Sequence, residues 1–161
     1  MTKKENLMVL LKSNHGAVRK LIDDIDDDES MFCGKDNRNH IRWLTGHLVY
    51  NAGNILKVLG VEDTVPKEWL KLFGRESEIS DNPNSYPSMS ELKSKLYLLY
   101  EQIYEMLNEM ADSDLDRKIE PFPKWQTTAM DAVLFLCTHE FYHAGQITTI
   151  IRILGRERPF G

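Results

Sequence analysis

The sequence predicts an all-α protein built as a four-helix bundle. The first reason is that apolar residues recur every three or four positions in four long stretches, as on one face of a helix. The second reason is that residues typical of helix caps and helix ends bound these stretches. The third reason is that no segment alternates apolar and polar residues as a half-buried strand does. We therefore expect one domain over residues 1–161, with a long crossover between the second and third helices.

The composition narrows the class of protein further. The chain has 161 residues, of which 42% are hydrophobic and 28% charged, as in ordinary globular domains. A net charge of −5 argues against a dedicated nucleic-acid binder. No apolar run approaches the roughly 18 residues of a membrane span, and the charged N-terminal residues do not resemble a signal-peptide core. Cys33 and Cys137 are too few for a disulfide scaffold and lack metal-site spacing. We expect a cytoplasmic protein with reduced cysteines.

The first helix is predicted from about Lys3 to Ile25. Its core-facing stripe consists of Leu7, Leu11, Asn14, Val18, Leu21 and Ile25. The acidic run at residues 23–29 opposes the helix macrodipole and should help to end the helix. The run lacks the alternating ligands and central glycine of an EF-hand loop, so we interpret it as a solvated charged loop.

The second helix is predicted to begin near residues 37–39, where Asp and Asn offer caps, and to end at Leu59 before Gly60. Its stripe consists of Ile41, Leu44, Leu48, Asn51, Ala52, Ile55 and Leu59. His47 lies at the inner edge of this face. Gly46 and Gly53 each cost about 1 kcal/mol relative to alanine inside a helix, so close packing or access should compensate.

A long connection over residues 60–87 is predicted to contain a short helix, opened by Thr64 and Pro66 and closed at Gly74. The third helix then begins with a capping box, Ser88 to Glu91. Its uninterrupted apolar stripe predicts a purely apolar core face, and it consists of Met89, Leu92, Leu96, Leu99, Ile103, Met106 and Met110.

The last helix, within residues 127–155, is predicted to organise the chain. Its apolar face consists of Ala129, Ala132, Val133, Leu136, Ile147, Ile150, Ile151 and Leu154. At 3.6 residues per turn, Glu140 and His143 fall inside that face and His139 falls on its edge. Burying ionisable groups without partners is costly, so we expect these side chains to have partners.

The histidine spacing predicts a divalent metal ion as that partner. His139 and His143 are four residues apart, so both imidazoles project from the same side of the helix and can meet one ion. His47 is the candidate third ligand, although its helix face fits packing about equally well. Three protein ligands with open positions are typical of catalytic metal sites. We interpret His15 and His40 as hydrogen-bonded packing residues, and Cys137 as a packing residue.

The run from His139 to His143 also matches the HExxH pattern of zinc proteases, in which the glutamate is the general base. The context does not fit, because Gln146 and Thr149 stand where extended metzincins need Gly and His. Only 18 residues follow His143, which leaves little room for a further ligand. The role of Glu140 stays open between supporting the metal ligands and accepting a proton.

Three segments together resemble the DinB/YfiT-like superfamily of metal-binding bundles: Trp43 to Leu48, His139 to Gln146 and Arg152 to Gly155. The resemblance spans nearly the whole chain. It implies an up-down-down-up bundle, a metal triad of His47, His139 and His143, and frequent dimers. It also implies chemistry with low-molecular-weight thiols, because characterised relatives include bacillithiol- or mycothiol-dependent transferases and a thiol-dependent isomerase.

These observations lead us to expect a zinc- or nickel-dependent enzyme that transfers a small thiol to an electrophilic small molecule. Three neutral imidazoles leave the charge of the ion uncompensated, which favours an anionic fourth ligand. The first alternative is a hydrolase that uses metal-activated water. The others are a non-enzymatic metal-binding stress-response protein with a closed coordination sphere, and a bundle whose histidines only pack. We expect no nucleic-acid or membrane partner, and a homodimer.

Overall fold

Long helices dominate the computed structural model, which describes residues 1–34, 39–157 and 160. In chain order the helices are α1 Lys3–Ile22, α2 Asp27–Ser30, α3 Ile41–Leu59, α4 Lys67–Phe73, α5 Met89–Glu109 and α6 Ala129–Ile153. Two short strands, β1 Lys118–Phe122 and β2 Trp125–Thr128, precede α6. The all-α bundle is confirmed, with a small two-stranded sheet added to it. Among the described residues, no helix is both long and apolar enough to cross a membrane.

The helices α1 and α6 run in the same direction. Lys3, at the start of α1, pairs with Asp116 ahead of α6 at 2.6 Å. Beyond the other end of α1, Glu29 accepts a hydrogen bond of 3.0 Å from Arg156, which follows α6. Contacts at both ends therefore join matching ends of the two helices.

The helices α3 and α5 run the opposite way, because both begin beside the end of α1. Asp27, the first residue of α2, accepts a hydrogen bond from Arg42 in α3 at 2.9 Å and one from the backbone N–H of Met89 in α5 at 2.7 Å. The bundle is thus up-down-down-up, with the long crossover between α3 and α5. The acidic side chains at residues 23, 24 and 26–28 are exposed, as predicted for a solvated run. The run is not a simple loop, however, because residues 27–29 belong to α2 and Asp27 hydrogen-bonds the starts of α3 and α5.

The predicted stripes form the core. Every residue of the predicted α1 and α3 stripes is buried. On α5, however, Met106 and Met110 are only partly buried, and Leu107 is buried instead. The α5 face is also not purely apolar, because Tyr100 is fully buried and its hydroxyl donates to Glu140 at 2.6 Å.

The helix ends differ from the predicted ends in two places. The first helix ends at Ile22 and not at Ile25, because the chain turns into α2, which Asp26 caps. The predicted second helix, α3, begins at Ile41, where His40 is the cap and its Nδ1 accepts a hydrogen bond from the N–H of Trp43 at 3.0 Å. Of the predicted start at residues 37–39, residues 37 and 38 lie outside the described residues, and residue 39 lies ahead of the helix.

Close packing explains both glycines of α3. It is one of the two reasons predicted from the sequence, the other being access. A Cβ atom on Gly46 would lie 2.2 Å from the ring of Phe73 in α4. A Cβ atom on Gly53 would lie 2.5 Å from a methyl group of Val65. Gly60 ends the helix with a φ of 101°, in the left-handed region that glycine favours.

The expectation that no strand occurs is wrong. Lys118–Phe122 and Trp125–Thr128 pair as an antiparallel hairpin, with Lys118 opposite Thr128 and Phe122 opposite Trp125. Strands this short, one of them containing Pro121, carry too little alternation for a sequence pattern to reveal. The hairpin places aromatic side chains beside the gap between α3 and α6.

Candidate metal centre

Three imidazoles converge between α3 and α6. The Nε2 atom of His139 lies 3.0 Å from Nε2 of His47 and 3.1 Å from Nε2 of His143. The three ligand atoms all lie within 4.8 Å of one another. The structure therefore brings together the three residues that the sequence predicts as a metal triad.

Hydrogen bonds on the far side of two rings fix their orientation. Nδ1 of His47 donates to the carbonyl of Phe73 at 2.6 Å, and Nδ1 of His143 donates to Oε1 of Gln146 at 2.7 Å. Because these oxygens only accept, the protons of both neutral rings lie on Nδ1. Both rings consequently direct the lone pair of Nε2 towards His139.

The facing nitrogens fit a cation. If Nε2 of His139 carries a proton, it can donate a hydrogen bond to Nε2 of either His47 or His143, but not to both. The lone pair of the other ring then faces a nitrogen with no proton to share, whereas a cation can accept all three lone pairs. Zinc–nitrogen bonds of about 2.0–2.1 Å place neighbouring ligand nitrogens roughly 2.9–3.4 Å apart in octahedral or tetrahedral geometry. The observed separations of 3.0 and 3.1 Å lie in that range. The triad could therefore hold a divalent metal ion.

Burial keeps these imidazoles neutral. Desolvation is the main cause that lowers the pKa of His47, His139 and His143, to about 4 for His143. The hydrogen bonds to Phe73 and Gln146 oppose this effect without reversing it. At neutral pH the three rings are unprotonated, as metal ligands must be.

A cavity of about 670 Å³ opens beside the triad. This volume is within the usual range of small-molecule sites. Its lining includes Trp43 and Tyr50 of α3, Phe122 and Trp125 of the hairpin, Phe135 of α6, and Arg75 after α4. The described lining contains no aspartate or glutamate. The triad thus has an open side that faces an aromatic space with one guanidinium group.

Glu140 points away from the triad. Its side chain is 0% exposed, and its Oε1 accepts a hydrogen bond from Tyr100 on α5 at 2.6 Å. Its Oε2 lies 3.5 Å from Nε2 of His15 on α1. The carboxyl group therefore lies in the bundle core and does not hydrogen-bond either imidazole beside it in sequence. The HExxH reading, with Glu140 as a general base at the metal, does not fit this placement.

The three residues predicted to pack, His15, His40 and Cys137, all lie in the core. His15 is buried, stacks on Tyr100 with ring centroids 3.5 Å apart, and bonds Tyr104 at 2.6 Å. His40 is buried as the cap of α3. Cys137 is buried too, and burial raises the pKa of its thiol to about 12. None of these three joins the triad.

The sequence reasoning missed the aromatic walls and Arg75. Phe135 precedes His139 by one helical turn, so the four-residue spacing could have placed it on the same side of α6. Trp125 and Phe122 reach the site only through the hairpin, and Arg75 only through the path of the long connection. No local sequence pattern indicates that the hairpin or this connection reaches the site.

Comparison with known proteins identifies the family. A search of curated proteins found no match. The family model of the DinB superfamily matches residues 10–147, which include all three histidines of the triad and most of the chain. The chain belongs to the DinB superfamily.

Proposed function

We propose that this protein is a divalent-metal-dependent enzyme that transfers a low-molecular-weight thiol to an electrophilic small molecule. The observation that carries the proposal is the convergence of three neutral imidazoles beside an open cavity without a carboxylate. Such a donor set holds a divalent ion and leaves its charge for an anionic ligand.

The residues of the site have distinct roles in this proposal. His47, His139 and His143 hold the ion, and the Phe73 carbonyl and Gln146 orient two of their rings. When bound, a divalent ion lowers the pKa of a coordinating thiol from its usual value of about 8.5. The aromatic walls limit the access of water to the sulfur.

The overall transfer is a substitution. The thiol loses its proton to solvent, its sulfur lone pair forms a bond to the electrophilic carbon, and the leaving group departs with the electrons of its own bond to that carbon. We propose zinc or nickel as the metal, since imidazole ligands suit both ions. The resemblance to thiol-dependent relatives supports the choice of a thiol and a homodimer, and the composition supports a cytoplasmic location.

The alternatives are supported less well. Hydrolysis by metal-activated water would use the same open position on the ion. However, Glu140 lies in the core and not on the cavity, and no carboxylate of the described lining can assist the attacking water. A non-enzymatic, closed metal site needs a fourth protein ligand. Within residues 1–34, 39–157 and 160, the group of His, Cys, Asp and Glu side chains around the triad has three members only.

The test combines metal content with transfer. We expect elemental analysis to find a divalent metal in the purified protein, and His47→Ala to lose both metal and activity. The assay incubates the metal-loaded protein with a small thiol and monochlorobimane, beside a panel of hydrolase substrates without thiol. Thiol-dependent conjugation supports transfer. Hydrolysis alone, or unchanged metal content in His47→Ala, contradicts the proposal.

A further inference from the structure

Trp43, His47 and Tyr50 make one wall of the cavity from rings of α3. The Trp43 ring stacks on His47 at 4.9 Å with an interplanar angle of 12°, and Tyr50 stacks on the same imidazole at 5.7 Å and 25°. These rings are held by α3 itself. The wall is therefore a stack of three rings on one side of α3.

The opposite wall comes from the hairpin and α6. Phe122 and Trp125 stack in parallel at 5.8 Å and 5°, and Phe135 meets Trp125 edge-on at 5.1 Å. The Phe135 ring also stacks on the imidazole of His139, with ring centroids 6.3 Å apart and an interplanar angle of 16°. Phe135 is still 50% exposed. Two aromatic walls thus meet at the triad, and an exposed ring at their edge leaves apolar area for a ligand to cover.

Arg75 lies on the turn after α4, which Trp43 of the cavity wall holds in place. Nε1 of Trp43 donates to the carbonyl of Leu72 at 3.2 Å and to Oγ of Ser77 at 3.1 Å, so one indole N–H holds both sides of the turn. Gly74 permits the tight path, because a Cβ atom there would lie 2.6 Å from the carbonyl oxygen of Leu70. The guanidinium group is thus carried by an ordered segment.

Arg75 has no ion-pair or hydrogen-bond partner within the described part of the chain. Three other arginines are paired: Arg19 with Glu101, Arg42 with Asp27 and Arg156 with Glu29. Arg152 also has no such partner among the described residues, but it lies outside the described cavity lining. The described cavity lining offers Arg75 no carboxylate. With a divalent ion on the triad, the cavity would hold two positive centres, and the described residues of its lining supply no negative one.

We propose that the cavity takes a flat, apolar substrate that carries an anionic group, and that Arg75 binds this group. The inference deepens the proposed function and rests on it for the identity of the site. The anionic group belongs to the thiol or to the electrophile, since both occupy the same cavity. Arg75 is then a specificity-determining residue, because it favours the anionic member of two ligands of equal shape.

The first experiment measures binding without any chemistry. We titrate 2-naphthoate and 2-naphthamide, which share their shape and differ in charge, into the zinc-loaded and the chelated protein by calorimetry. In the zinc-loaded protein the ion adds its own attraction for the carboxylate. In the chelated protein, where that attraction is absent, we expect the carboxylate to bind about five- to tenfold more tightly, as for an exposed charge-assisted pair. Arg75→Gln should remove this preference and Arg75→Lys should retain part of it. Arg152→Gln, an exposed arginine outside the described cavity lining, should leave it unchanged.

In the chelated protein, a carboxylate preference that survives Arg75→Gln would place the anion elsewhere and overturn the inference, as would equal binding of the two ligands to the wild type. The second experiment identifies the source of the anion by conjugation assays. One arm compares 4-mercaptobenzoate with 4-mercaptobenzamide as the thiol, and the other compares 4-(bromomethyl)benzoate with its amide as the electrophile. If neither arm gives conjugation while naphthoate binding depends on Arg75, the transfer proposal fails and the ligand class stands.

Discussion

Glu140 and His15 form a buried pair of titratable groups between α6 and α1. Burial raises the pKa of Glu140 to about 7 against the opposing hydrogen bond from Tyr100. Burial also lowers the pKa of His15 to about 3, with a smaller contribution from Arg19. Oε2 of Glu140 and Nε2 of His15 have no hydrogen-bond partner among the described residues. Both groups are thus held in their neutral forms between about pH 3 and pH 7.

This pair gives a pH-dependent stability. The folded-state pKa of Glu140, about 7, is above its ordinary value of 4.5, so its contribution is fully present below pH 4.5 and is lost as the pH rises through 7. In metal-free protein, we expect the free energy of unfolding of the wild type, relative to Glu140→Gln, to fall by about 2–3 kcal/mol from pH 5 to pH 8. Urea unfolding at both pH values measures this difference. Parallel pH curves for the two proteins would show that the carboxyl group titrates normally in the fold.

The contact between α3 and α4 connects helix packing to the metal site. Gly46 lets the Phe73 ring lie directly on α3, and the Phe73 carbonyl then accepts the hydrogen bond that Nδ1 of His47 donates. Gly46 therefore helps to orient the imidazole of His47, the next residue in the chain.

Gly46→Ala should push α4 away from α3. The new methyl group would lie 2.2 Å from the Phe73 ring, so we expect a loss of about 1–3 kcal/mol in stability and weaker metal binding. Gly16→Ala is the matched control, because Gly16 lies in α1 with no atom within 4 Å of the added Cβ. That control should gain roughly 0.5–1 kcal/mol and keep its metal affinity. Chemical unfolding and metal titration check both variants, and a Gly46→Ala protein with native stability and affinity would contradict this account.

The elements could be predicted where local chemistry determines them. Ser88 and Glu91 form the predicted capping box of α5, and Gly60 ends α3 as predicted. His40 was not predicted as a cap, because histidine is not among the usual capping residues. The hairpin was not predicted because its short strands are stabilised by packing that involves distant residues, as where Phe122 meets Phe135 of α6.

The site, like the elements, could be predicted where local spacing determines it and not where distant segments meet. His139 and His143 followed from helical spacing, whereas spacing alone left His47 open between ligand and packing residue, and the family resemblance decided for ligand. The structure places His47 against His139 because α3 and α6 are antiparallel neighbours in the bundle. Arg75 depends on how the long connection folds back over α3, which no periodicity in the sequence determines.

At the scale of the whole molecule, the triad is a cross-link between the second and last helices of the bundle. Elsewhere along this interface, Asn51 of α3 donates to the carbonyl of Leu136 in α6 at 3.1 Å. Asn14 of α1 bonds the next carbonyl, that of Cys137, at 2.9 Å. A bound ion would add the strongest of these connections, and it would bind only the folded chain, because residues 47 and 139 are far apart in sequence.

Zinc or nickel should therefore raise the melting temperature of the chelated protein in a concentration-dependent way. At a free metal concentration 100 times the dissociation constant, the gain is about 2.7 kcal/mol, or roughly 5–10 °C for a chain of this size. Differential scanning calorimetry should show this rise in the wild type and none in His47→Ala. His40→Asn is the control, because it removes the bond from Nε2 of His40 to the Ser80 carbonyl, keeps a capping residue and leaves the triad intact. Its melting temperature should start lower and rise by the same amount as the wild type. Equal shifts in His47→Ala and the wild type would place the metal elsewhere, because a cross-link between α3 and α6 requires a ligand from each helix.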